Sequence, residues 1–86
     1  MSRDPQDPGG HLRAADVHRR AAKVHDRAAE VHEGSANLHE EHAAEMAELG
    51  LEESVERAER IADREREAAQ REHRLADEQR RKAGEQ

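Results

Sequence analysis

Five of the chain's seven histidines, His11, His18, His25, His32 and His39, follow one another at intervals of seven residues. Imidazole is the commonest protein ligand for zinc, nickel, cobalt and copper, and it binds in its neutral form. On a helix, residues seven apart are separated by roughly 10.5 Å along the axis. One helix therefore cannot bring two members of this row to one ion, whereas a facing row from a partner would complete such sites. His39-Glu40-Glu41-His42 is the exception, because positions three apart are neighbours on a helix surface. Glu45 and Met46 follow one turn later. The candidate metal ligands are thus His18, His25, His32, His39, His42 and Glu45, and the candidate ions are zinc, nickel, cobalt or copper. The same row has a plainer reading, in which one heptad was duplicated and each histidine is an interfacial residue bonded across a seam or to water. A third reading uses the proton instead of a metal, since imidazole changes charge near physiological pH and an interface lined with it would respond.

The elements that must carry these residues follow from the same repeat. From His11 the chain reads HLRAADV, HRRAAKV, HDRAAEV, HEGSANL and then HEEHAAE. At 100° per residue, with the histidines at 0°, Ala15, Ala22, Ala29, Ala36 and Ala43 fall at about +40°. Ala14, Ala21, Ala28, Ser35 and His42 fall at about −60°, and Val17, Val24, Val31 and Leu38 at about −100°. This predicts one helix with a stripe about 140° wide packed inward and the histidines near its middle. Gly34 lies on the opposite face and leaves the register intact. Leu49-Gly50-Leu51 marks a stop, with Gly50 suited to the left-handed position after a helix. A second heptad pattern then runs through Val55, Ala62, Ala69, Ala76 and Ala83, flanked by Ile61, Ala68 and Leu75. The expected fold is all-α: a disordered leader over 1–10 and an antiparallel two-helix hairpin over 11–86. Its helices should span about 11–49 and about 51–83, with the turn at 50. Counting outward from that turn sets His39 level with Ile61–Ala62, His32 with Ala68–Ala69 and His25 with Leu75–Ala76.

Composition removes other classes of function. There is no cysteine, hence no disulfide and no thiolate metal site, and there is no aromatic residue. The net charge is −6, and residues 30–56 hold nine glutamates with no lysine or arginine. An acidic middle without stacking platforms argues against nucleic acid as a partner. The first ten residues lack an apolar stretch of the signal-peptide kind and no segment reads as a membrane span, so the default expectation is a cytoplasmic protein. No Glu-x-x-His or His-Glu-x-x-His occurs, the serines sit in no nucleophile motif and there is no glycine-rich phosphate loop. An enzyme is not expected.

Only eleven internal aliphatic side chains larger than alanine stand beside sixteen alanines, a thin core for a monomer. Charge is segregated as well: residues 11–29 carry +3 and residues 30–56 carry −9. Two hairpins stacked head to tail would set each acidic tip beside the other's basic end. The expectation is therefore a homo-oligomer, a dimeric four-helix bundle or a larger one. In outline this plan resembles the cytosolic copper-storage bundles, whose inner face is lined with one kind of ligand. Those use cysteine, so the likeness implies architecture and no metal identity. The functional expectation is a histidine-ladder bundle that binds, buffers or stores divalent transition metal. The alternative is a structural coiled-coil protein that oligomerises or grips a partner helix, pH-sensitive or stress-related.

Overall fold

A computed structural model describes residues 8–84, which form two helices packed against each other. α1 spans Pro8–Glu48 and α2 spans Glu52–Lys82. They pack antiparallel into a slab measuring 67 × 25 × 12 Å. Residues 1–7 of the expected leader lie outside the described residues, and 8–10 form the first turn of α1. Proline is well suited there, because its missing N–H is one that no intrahelical acceptor claims.

The turn closes as its glycine predicts. Gly50 has φ +73°, its N–H donates to the Ala47 carbonyl at 3.0 Å, and the Leu51 N–H donates to the Met46 carbonyl at 3.0 Å. This paired arrangement satisfies two carbonyls left over at the end of α1 and reverses the chain within three residues. α2 opens with Glu52 and Glu53 and closes with Arg80, Arg81 and Lys82, charges that complement its dipole at both ends. Gly84, at φ +85°, ends it in the same left-handed way.

Every buried side chain among the described residues is alanine: Ala22, Ala29, Ala36 and Ala43 on α1, and Ala58, Ala62, Ala69 and Ala76 on α2. Small residues let the two backbones approach closely along their length. The seam is therefore centred on the alanine row that lies about 40° from the histidines, not on the histidines themselves; His18, His25, His32 and His39 are half-buried on its flank. The consequence for the valine row is larger. Val17, Val24, Val31 and Leu38, expected at the edge of the inward stripe, are 60–70% exposed. A seam narrow enough for alanine has no room for them.

Gly34 offers a direct check on α1. A Cβ added there meets nothing within 4 Å, and the residue is helical and exposed. Gly34→Ala should therefore raise stability by about 1 kcal/mol in chemical denaturation. A loss of stability would show that α1 uses the glycine to bend.

Candidate functional site: a histidine ladder between two helices

Three ladder histidines each meet an acceptor on α2. His18 Nδ1 lies 2.7 Å from Gln79 Oε1, His25 Nδ1 lies 2.6 Å from Glu72 Oε2, and His32 Nδ1 lies 2.6 Å from Glu65 Oε2. Each step of seven along α1 is matched by a step of seven back along α2. Because a carboxylate or amide oxygen only accepts, Nδ1 carries the proton and donates in every rung. The rungs are open to water at their edges: side-chain exposure is 29% and 25% in the His25–Glu72 pair, 35% and 28% in the His32–Glu65 pair. Each contributes on the order of 1 kcal/mol or less for that reason.

The same step carries His39 to Ala58, which is 3% exposed and offers no acceptor. His39 is half-buried and has no side-chain hydrogen bond among the described residues. His42 and Glu45, the neighbours expected to join it at one ion, are both exposed, and Glu40 pairs instead with Arg66. Among the described residues, no three His, Cys, Asp or Glu side chains are grouped so that they could hold a metal ion. His18, His25, His32, His39, His42 and Glu45 thus lie along one helix, and the structure brings none of them together as a ligand set. His25 and His32 reach Glu72 and Glu65, about one turn nearer the hairpin tip than Leu75–Ala76 and Ala68–Ala69, while the adjacent Asp26 and Glu33 reach Arg80 and His73 about one turn farther from it, so the two flanks bracket the levels counted from the turn.

A second ladder runs along the other flank of the alanine seam. Asp26 pairs with Arg80, Glu33 with His73 and Glu40 with Arg66, again seven residues apart on both helices. Here α1 supplies the acid and α2 the base. Each helix therefore presents three adjacent rows: a rung residue, a central alanine and a second rung residue, at about 0°, +40° and +100°. The acceptors Glu65, Glu72 and Gln79, and the whole second ladder, escaped the sequence reading. Their signal was the heptad spacing of each row beside an alanine row.

Among the described residues, His73 is the one imidazole held between two carboxylates. Nε2 lies 2.8 Å from Glu33 Oε1, and Nδ1 lies 3.6 Å from Asp26 Oδ1. Its pKa is raised above the ordinary histidine value, first by the hydrogen bond to Glu33, against a smaller opposing effect of desolvation, with the charges of Glu33 and Asp26 adding to the rise. A group whose pKa is higher in the folded chain binds more protons there. Its stabilisation is complete below about pH 6.5 and is lost as pH climbs through the raised folded value. The melting temperature of the parent should accordingly fall relative to His73→Gln between pH 6 and pH 9. Parallel curves for the two proteins would refute a charged His73.

An open groove lies near the tip, lined by Ala43, Ala47, Val55 and Ala62 and walled by Glu40 and Arg66. It touches no histidine. No helix among the described residues is long and apolar enough to cross a membrane. Compared with protein-family models, with curated proteins and with solved structures, the chain matches none.

Proposed function

We propose that this chain is a structural interaction module, a helical hairpin that presents one apolar face for assembly with further helices. The observation that carries this reading is the 60–70% exposure of Val17, Val24, Val31 and Leu38 in a single row. Leu75, 40% exposed, and the half-buried Ile61 and Ala68 continue the same face on α2. A slab 12 Å thick is a single layer of helices, and stable domains cover a helix's apolar stripe with a second layer. A contiguous apolar row of this kind marks an association surface. The histidine and acid–base ladders then serve as registration devices, because heptads as similar as these would otherwise pack equally well one repeat out of step. Sedimentation equilibrium at micromolar concentration tests this. The expected mass is at least twice the 9.7 kDa of the chain. A monomer that keeps its helicity and melts at a temperature independent of concentration would overturn the reading.

Metal binding is the second reading, and one specific feature favours it. In His25 and His32 the Nδ1 proton is committed to a glutamate, which leaves the Nε2 lone pair as the remaining donor in the neutral ring. Metal-ligating histidines have this carboxylate partner as a rule, and it strengthens the ligand. Under this reading an assembled bundle binds zinc, nickel, cobalt or copper through His18, His25, His32, His39 and His42, with Glu45 nearby. Calorimetry should then show binding that weakens as pH falls, and Glu65→Gln with Glu72→Gln should cost at least about tenfold in affinity. Absence of binding in the parent, or equal affinity in the variant, would remove it.

A further inference from the structure

The partner that best fits the apolar face is a second copy of this chain, and the residues on that face define how it sits. We infer that two hairpins pack face to face and antiparallel, about a dyad passing level with the midpoint between Val24 and Val31. The inference rests on the assembly reading above and adds to it the partner and its orientation.

Two observations converge on that axis. The row Val17, Val24, Val31, Leu38 is symmetric about its centre, so an antiparallel copy of α1 sets Val24 against Val31 of the second copy and Val17 against Leu38 of the second copy. The rungs on both flanks together, His25–Glu72 and His32–Glu65 with Asp26–Arg80 and Glu33–His73, set the middle of the valine row level with about residue 74 of α2, so Leu75 lies within about 2 Å of the same axis and meets Leu75 of the second copy there. Both the valine row and Leu75 lie on the side of the hairpin that carries the histidine ladder. Val17, Val24, Val31 and Leu38 precede His18, His25, His32 and His39 by one residue, and Ala68 and Leu75 follow Glu65 and Glu72 by three, in each case turning away from the alanine seam. One dyad therefore serves both helices, as an interface between identical copies requires.

Charge selects this orientation over the other symmetric one. A tip-to-tip stack would superpose two −9 segments, residues 30–56 of each copy. The antiparallel stack sets that segment against residues 11–29, which carry +3, and brings Arg13 to the level of Glu41 of the second copy. Arg27 then meets its own twin, a single repulsion at a solvent-screened edge. Extent is sufficient too. The row from Val17 to Leu38 is about 32 Å long and two helices are about 20 Å wide, so the contact buries roughly 1,300 Å² in total, within the range of stable dimers.

The chain has no cysteine, so one introduced at the exposed Ala44, on α1's outer side, can carry a unique nitroxide. Pulsed electron resonance on Ala44→Cys should give an intermolecular distance of roughly 50–60 Å, and adding Val24→Glu and Val31→Glu should abolish it while helicity persists. A distance near 30 Å would mean a tip-to-tip stack and overturn the orientation while leaving assembly standing. A signal that survives the two glutamates would move the interface to another face. No intermolecular distance, together with a monomeric mass, would overturn the inference and the assembly reading together.

Discussion

Ala29→Leu is expected to lose about 3 kcal/mol of stability in urea unfolding, with a matching drop in helix content at low concentration. Ala29 is 0% exposed and lies at the middle of the seam, where Ala69 on α2 is 2% exposed. The side chains that separate the two backbones there have one carbon each, so three further carbons can be accommodated only by moving the helices apart. Separation would stretch the rungs on both flanks together, since His25–Glu72 and His32–Glu65 lie on one side of Ala29 and Asp26–Arg80 and Glu33–His73 on the other. Leucine at Val24, on the exposed row, should by contrast cost less than about 0.5 kcal/mol in the unassembled hairpin. Equal effects at the two positions would show that the helices do not meet on alanine.

Stripping the acceptors from the ladder should give the next largest change. Glu65→Ala with Glu72→Ala leaves two half-buried Nδ1–H groups without partners and should cost about 2 kcal/mol, near 1 kcal/mol for each rung. Alanine is the better helix former, so the measured loss is a lower bound on what the rungs supply. Replacing both members of each rung with leucine should instead leave stability unchanged or raise it, because an apolar pair carries no desolvation cost. What that variant should lose is uniqueness, seen as a broader distribution of assembled masses. If the acceptor-stripped and the all-leucine variants were equally destabilised, the rungs would be acting through shape and not through hydrogen bonding.

The two helices and their turn were legible in the residues. Heptads of good helix formers broken only at Leu49-Gly50-Leu51 leave little alternative, and Gly50 takes the left-handed conformation that its place demands. The centre of the seam was not legible. Hydrophobicity weights valine and leucine above alanine, which draws an expected inward stripe toward Val17, Val24, Val31 and Leu38. Packing weighs closeness instead, and only the alanine row permits it. The ladder histidines were visible as candidates, but their partners were hidden by composition: where 42% of residues are charged, Glu65 and Glu72 look like any solvated glutamate. The pairing of rows depends on the exact level at which α2 returns, and an offset of one turn exchanges an alanine for a carboxylate. His39 shows the cost of that sensitivity, since the same register that completes its neighbours leaves it opposite Ala58.

If the valine row is the working surface of the molecule, melting must depend on concentration, and that dependence is the most direct test. For the parent chain, each tenfold dilution should lower the melting temperature by about 3–5 °C, as mass action requires of an assembly whose folding and association are linked. A variant with serine at Val17, Val24, Val31 and Leu38 should melt lower and at one temperature across the whole range, with its helices retained in the cold. A parent whose melting temperature ignores dilution, or a serine variant that follows dilution as steeply as the parent, would contradict the claim.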